Sequence, residues 1–136
     1  MVSVIYSSNI SITASQFIDV LRQSTLAERR PVDEVHRIEK MLEHANILVT
    51  AWHEDKLVGV SRALTDFSYC CYLSDLAVDQ AYQHQGIGRE LVRLTREAAG
   101  EETSLVLLAA PAAQAYYPKI GMEKFEHCFM IKRKSA

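Results

Sequence analysis

The sequence has few of the residues that mark secreted or metal-binding proteins. Its 136 residues include three cysteines, three prolines and five glycines. Cys70 and Cys71 are adjacent, so on a strand their side chains point to opposite faces and do not bridge each other. Cys128 stands alone, and no Cys-x-x-Cys spacing occurs. We therefore expect neither a disulfide framework nor a zinc site, and no metal ion in the functional site.

An excess of charge of one sign and long hydrophobic runs are also lacking. The formal net charge is −2, which gives no reason to expect nucleic acid or an anionic membrane as a partner. No apolar run approaches the length of a transmembrane span, and residues 1–10 lack the basic start and apolar core of a signal peptide. We expect a cytoplasmic protein that forms a single domain over residues 1–136.

The most informative stretch is residues 72–100, which predicts a strand, a polar turn, a glycine-bearing loop and an amphipathic helix. Gly86 and Gly88 flank Ile87 where the helix begins, so backbone N–H groups approach a ligand closely and lack partners within the helix. Together with the helix dipole, these groups predict an anion site, most naturally for a phosphate or a pyrophosphate. The apolar face of the helix is formed by Ile87, Leu91, Leu94 and Ala98.

The spacing around this loop distinguishes between phosphate ligands. A dinucleotide fingerprint needs a third glycine where Leu91 stands, and a Walker-type loop needs Gly-Lys-Ser/Thr, which Gly88 and the two residues after it do not supply. What remains is Gln83-x-x-Gly86-x-Gly88, preceded by the apolar residues 76–78. This pattern resembles motif A of the GNAT superfamily, the acetyl-CoA-dependent N-acetyltransferases.

The order of the predicted elements also resembles that family. Strands are predicted at residues 2–6, 47–52, 57–64, 69–78 and 104–109, with one or two closing strands in 123–133. Helices are predicted after a capping box at Thr13, from Pro31, over 87–99 and over 112–120. The order β-α-α-β-β-β-α-β-α-β implies the GNAT fold, an α/β fold (mixed α+β) whose central mixed sheet is splayed between the fourth and fifth strands. Because strand 104–109 follows a crossover helix, we expect it to be parallel to the strand ending at Val78.

A second block, residues 113–122 (AQAYYPKIGM), resembles the family's late motif, Ala-x-x-aromatic-Tyr-x-x-hydrophobic-Gly-Phe. The resemblance implies that Tyr117 donates a proton to the departing thiolate, although a tyrosine that only packs is the alternative. It also implies that the N–H near Leu76 faces the thioester oxygen. The cofactor-binding residues implied for acetyl-CoA are Leu76, Ala77, Val78, Gln83, His84, Gln85, Gly86, Ile87, Gly88, Arg89 and Tyr117.

The general base is not identified by the sequence. Some family members carry a glutamate where Tyr72 stands, and a tyrosine does not replace a carboxylate base. Asp75 is the nearest carboxylate and is our second catalytic candidate, acting through water, with a strand-end carboxylate as the alternative. Asp66 and Tyr72 are weaker candidates for shaping the acceptor pocket. Ala110 replaces an asparagine often found in the family, so that side-chain contact is missing.

We expect an enzyme that transfers the acetyl group of acetyl-CoA to a primary amine of a small molecule or a peptide. The alternative is an acyl-CoA-binding sensor or partner module without acceptor chemistry. A third reading, another nucleotide-binding α/β protein, is disfavoured by the single crossover and the mixed strand order. The resemblance also allows a homodimer, to which the apolar closing segment 125–131 would contribute.

Overall fold

A five-stranded mixed sheet forms the centre of the computed structural model, which describes residues 2–134. The strands follow one another across the sheet in chain order, and only the last pair, β4 and β5, is parallel. This confirms the predicted mixed α/β class and the parallel crossover through the third helix. The strands are β1 (Ile5–Ser7), β2 (Ile47–His53), β3 (Lys56–Thr65), β4 (Cys70–Val78) and β5 (Ser104–Val106).

Helices cover both faces of the sheet and divide the core into two apolar clusters. One cluster joins α1 and α2 to one face of the sheet through Phe17, Leu21 and Ile38. The other joins α3 to the opposite face through Ile87 and Leu91. The helices are α1 (Ala14–Gln23), α2 (Val35–Glu43), α3 (Ile87–Ala99) and α4 (Tyr116–Lys119), with 3₁₀ turns at Leu26–Arg29, Gln80–Tyr82 and Pro111–Ala113.

A β-bulge interrupts the pairing of β3 with β4. Arg62 pairs with Asp75 while the next residue, Ala63, pairs with Leu73, so Ser74 is the extra residue on β4. An extra residue reverses the side-chain alternation of a strand. Before the bulge, Leu73 faces α3. After it, the odd-numbered residues face α1 and α2, as Ala77 does.

The sheet parts between β4 and β5. The shorter strand pairs only with the first three residues of β4, Cys70 to Tyr72, and leaves residues 73–78 without a partner on that side. This confirms the predicted splay between these two strands. It also leaves a stretch of strand edge open beside the loop that leads into α3.

Several predicted elements differ from the observed ones, and the first strand, predicted at residues 2–6, is Ile5–Ser7. The strand predicted at 104–109 ends at Val106. The second helix begins at Val35 rather than at Pro31, because the carbonyl of Pro31 accepts a hydrogen bond from the N–H of Glu34 (3.0 Å) in a preceding turn. The helix predicted at 112–120 is a 3₁₀ turn followed by α4. Because α4 starts at Tyr116, Pro118 falls in its first turn, where a missing N–H costs no helical bond.

The predicted closing strands are not observed within the described residues. Residues 122–134 form no strand, and they leave four large apolar side chains exposed: Phe125, Phe129, Met130 and Ile131. A strand exists only where a neighbouring strand pairs with it. β5, with three residues, offers a short edge for that purpose. Among residues 2–134, no helix combines the length and apolar character that crossing a membrane requires.

Candidate active site

The loop into α3 presents backbone N–H groups that the protein's own side chains do not cap. Gly86 is the N-cap residue and has a left-handed backbone (φ 83°, ψ 9°), a conformation that glycine adopts without strain. Within residues 2–134, no side-chain hydrogen bond caps the start of this helix. The N–H groups of the first turn therefore remain available, and the helix dipole adds partial positive charge to them.

The charged side chains beside the helix start leave this end suitable for an anion. Glu90 is the acidic residue of the first turn, and both of its carboxylate oxygens accept hydrogen bonds from Arg93 (2.7 and 2.8 Å). These bonds lower the pKa of Glu90 and offset its charge. Arg89 is exposed at the same end. An anion at the first turn therefore meets a compensated carboxylate and a free cationic side chain.

Along the open edge of β4, the N–H and C=O of one residue lie between two carbonyls that side chains of the protein already occupy. Asp79 donates its N–H to the carbonyl of Val58 (2.8 Å), so odd-numbered residues here face β3 and even-numbered ones face the gap. The Ser74 carbonyl accepts a hydrogen bond from Arg30 (2.7 Å), and the Val78 carbonyl accepts one from Gln83 (3.0 Å). Leu76, midway between them, directs its N–H and C=O toward the gap.

Two adjacent tyrosines lie on the first turn of α4. Tyr116 and Tyr117 make an edge-to-face contact, with ring centroids 5.3 Å apart. Burial is the main factor that raises the pKa of Tyr117, with Tyr116 adding to the effect and Arg30 opposing it. Burial likewise raises the pKa of Tyr116, opposed by Arg89. Both phenols therefore keep their protons at neutral pH and can donate hydrogen bonds.

Asp75 is fully buried and lies between two arginines. Its carboxylate oxygens form ion pairs with the Nε atoms of Arg30 and Arg62. The same arginines hold the bulged residue: Arg30 donates to the carbonyl of Ser74 (2.7 Å) and Arg62 to its hydroxyl (3.0 Å). This arrangement gives Asp75 no exposed surface through which to exchange a proton with an acceptor. It instead fixes the β-bulge that precedes Leu76.

The other sequence candidates lie in different settings. Asp66 accepts three backbone hydrogen bonds, from Ser68, Tyr69 and Cys70 (2.9, 2.8 and 3.1 Å). These bonds lower its pKa to about 2 and hold the turn before β4. Tyr72 lies on β4 opposite Val106 of β5 and is partly exposed. Asp66 therefore organises a turn.

The loop residues beside the glycines differ in how they are held. Gln83 is bonded to β4, whereas the Gln85 side chain accepts a hydrogen bond from the N–H of Val2 (3.3 Å). His84 is exposed and has a left-handed backbone (φ 66°). The polar side chains of this loop thus support its shape, and the glycine amides remain the groups open to a ligand.

Sequence reasoning did not identify the arginine pair. Arg62 interrupts an otherwise apolar strand, and an unpaired charge there would be costly, so its position was a signal for a buried partner. Arg30 gave no such signal, because it lies in an irregular segment between α1 and α2. Among residues 2–134, no group of three His, Cys, Asp or Glu side chains is arranged to hold a metal ion.

Comparisons with known proteins agree with this architecture. The profile of the acetyltransferase (GNAT) family matches residues 15–122, so the chain belongs to the GNAT acetyltransferase family. A curated relative is an uncharacterized ycf52-like N-acetyltransferase of Prochlorococcus marinus, 27% identical over 110 residues that cover 76% of this chain. The match spans 59% of that relative's length.

Solved structures resemble almost the whole chain. A probable acetyltransferase from meticillin-resistant Staphylococcus aureus has a TM-score of 0.80 and 22% identity, covering 96% of this chain and 100% of that one. The aminoglycoside N-acetyltransferase AAC(6')-Iy, in complex with CoA, has a TM-score of 0.73 and 13% identity, covering 97% and 95%. At these identities the likeness concerns the fold.

Replacing Asp75 by asparagine separates a positioning role from a catalytic one. We expect Asp75→Asn to lower the free energy of unfolding by about 3–5 kcal/mol, because Arg62 stays buried without its carboxylate. Urea unfolding measures this change. Glu126→Gln, which removes an exposed ion pair with Lys124, serves as the control and should change stability by less than about 1 kcal/mol. An unchanged stability with lost turnover would instead assign Asp75 to catalysis.

Proposed function

We propose that this chain transfers the acetyl group of acetyl-CoA to a primary amine. The proposal depends chiefly on one observation: an uncapped helix start adjoins a strand edge that has parted from its parallel neighbour. The helix start of such a site accepts an anion. The open strand edge can pair with an extended chain that carries amide groups. Coenzyme A has a diphosphate and a pantetheine arm in that order, and the family membership favours this ligand.

Each part of the site has a binding role in the proposal. The N–H groups of Gly86, Ile87 and Gly88 hold the diphosphate, and Arg89 adds positive charge. The pantetheine arm pairs with the free peptide group of Leu76 along the edge that Ala77 and Val78 continue. Acetyl-CoA supplies an activated thioester when bound. The Leu76 N–H then points to where negative charge develops on the thioester oxygen, and stabilises it.

Proton transfer is assigned to Tyr117 in the proposal. The amine nitrogen attacks the thioester carbonyl, a C–N bond forms and the C–S bond breaks. The electron pair of that bond leaves on sulfur, and the Tyr117 hydroxyl donates its proton there. The amine proton passes to solvent, because Asp75 is buried between its two arginines and we now assign it to positioning. CoA and the acetylated amine are the products.

A panel of amines tests the acetyl-transfer proposal. Thiol release from acetyl-CoA and from one longer acyl-CoA should occur with at least one acceptor among a polyamine, an aminoglycoside, a lysine peptide and a peptide α-amine. Gly86→Val forces a β-branched residue into a left-handed backbone and should abolish CoA binding. Gly100→Val, at the other end of α3, also forces a β-branched residue into a backbone with positive φ (96°) and should leave CoA binding intact.

The panel also tests the second candidate function, an acyl-CoA sensor without acceptor chemistry. The burial of Asp75 favours this candidate, because the carboxylate that the sequence offered as a base is enclosed between two arginines. Binding of CoA without thiol release for any amine would support the sensor and refute the enzyme. Absence of CoA binding would refute both.

Replacing Tyr117 tests its role as a proton donor. We expect Tyr117→Phe to lower kcat on the order of 10²-fold, while the Kd for acetyl-CoA changes little. Because burial raises the pKa of Tyr117, its hydroxyl stays protonated below pH ~10, so loss of this donor should limit kcat only above that pH. Tyr69→Phe, at an exposed tyrosine (80%), is the control. An unchanged kcat in Tyr117→Phe would leave the tyrosine a packing role.

We further propose that the chain forms a homodimer through residues 125–131. Phe129 and Ile131 are 93% and 99% exposed within the described residues, and large apolar side chains in such a cluster favour a protein contact. Light scattering after size exclusion should give twice the chain mass. The double variant Phe129→Ser and Ile131→Ser should give the single-chain mass. A single-chain mass for the unaltered protein at micromolar concentration would refute the dimer.

A further inference from the structure

We propose that Tyr116 is a cofactor-binding residue, whose hydroxyl donates a hydrogen bond to the diphosphate held at the start of α3. This inference rests on the proposed acetyl-CoA function and adds a side-chain donor to a site otherwise built from backbone N–H groups. It also assigns the glycine at position 88 a second role, because the hydroxyl occupies the space that a larger residue would fill.

The two tyrosines of α4 are directed to different parts of the site. The side chains of consecutive helical residues point about 100° apart. Different arginines therefore act on the hydroxyl groups of the two tyrosines. Arg30, beside the β-bulge, acts on Tyr117, whereas Arg89, beside the helix start, acts on Tyr116. Tyr117 therefore belongs to the thioester end of the site and Tyr116 to the phosphate end.

The hydroxyl of Tyr116 lies directly against the glycine loop. A Cβ atom added to Gly88 would be 2.7 Å from this oxygen and 3.8 Å from Cγ2 of Val78. The oxygen thus lies at the corner between the last residue of β4 and the second residue of α3. A ligand that runs from the open edge of β4 to the first turn of α3 must pass this corner.

The hydroxyl is also available as a donor. Within residues 2–134 it makes no hydrogen bond to another protein group, although the ring is half-buried against Tyr117. A tyrosine hydroxyl in this situation usually finds a partner. The raised pKa of Tyr116 keeps it protonated, so it offers a proton to an anionic oxygen rather than repelling it.

The contact with the Tyr116 hydroxyl also limits which residue can stand at position 88. Unlike Gly86, it does not have a positive φ, so its backbone tolerates an alanine. The obstacle to alanine is the Tyr116 hydroxyl at 2.7 Å, since the next atom of that ring is at 3.5 Å, an ordinary van der Waals distance. Removing the hydroxyl should therefore make alanine acceptable at position 88.

The test compares the unaltered chain with Tyr116→Phe, Gly88→Ala and the double variant. Calorimetry with CoA should show about tenfold weaker binding in Tyr116→Phe, as expected for a lost hydrogen bond to a charged group. Binding of pantetheine, which lacks the diphosphate, should be unchanged. In turnover, Tyr116→Phe should raise the KM for acetyl-CoA with kcat retained, in contrast to Tyr117→Phe. Tyr69→Phe is the matched control for both measurements.

Stability provides an independent readout of the contact. Gly88→Ala should give a less favourable change in the urea midpoint in the unaltered background than when Tyr116 is phenylalanine, because alanine favours the helix in both backgrounds and meets the hydroxyl in only one. Equal CoA affinity of Tyr116→Phe and the unaltered chain would overturn this inference alone. An equal shift of the urea midpoint by Gly88→Ala in both backgrounds would also overturn this inference alone. Failure of the unaltered chain to bind CoA would overturn it together with the proposed function.

Discussion

The ion pairs of Asp75 with Arg30 and Arg62 are the interaction on which the site depends. The two arginines also donate hydrogen bonds to the carbonyl and to the hydroxyl of Ser74, so the charges and the bulged residue form one unit. The bulge reverses the alternation of β4 and sets which peptide groups face the gap beside β5. A buried ion pair is weak evidence for stability, but the loss of one partner is costly. We regard this cluster as the device that keeps the strand edge in shape.

The burial of Asp75 has a consequence for the acceptor. A lysine amine, with a pKa near 10.4, is protonated at neutral pH and needs a base before it can attack. An α-amino group, with a pKa near 7.7–8.0, is partly neutral under the same conditions and needs less assistance. In the proposed reaction Asp75 is enclosed between its two arginines, so an amine of low basicity would need less help from a base than a lysine amine. At the start of α3, Arg93 offsets the charge of Glu90 and the side chain of Arg89 is exposed, so this part of the site suits an anion. The two ends of the proposed site thus differ in electrostatic character.

Much of the fold could be predicted from local patterns. The capping box at Thr13 and Gln16 is present with both of its hydrogen bonds. On α3 the predicted apolar face is confirmed at Ile87 and Leu91 and wrong at Ala98, which is exposed, because the buried face continues through Thr95 and Ala99. Elements whose bounds depend on pairing or on a neighbouring turn were harder to predict. The segment 104–109 is nearly wholly apolar, yet only three of its residues pair with β4. Residues 123–133 have strand-like composition and no partner strand within the described residues. Composition indicates that a segment is suited to a strand, but the strand forms only if a neighbouring strand pairs with it.

The sequence alone determined the elements that carry their own signal: the glycines at the start of α3, the strand before them and the tyrosine block near the end. These signals are local, because caps, turns and helical periodicity depend on residues a few positions apart. Only the tertiary structure decided the use of groups far apart in the chain. Asp75 is an isolated acidic residue in the sequence, and it becomes a buried ion-pair partner because Arg30 and Arg62 are folded onto it. Tyr116 is one of two equivalent tyrosines until α4 places its hydroxyl against Gly88. Such contacts arise from three-dimensional packing, which residue spacing does not encode.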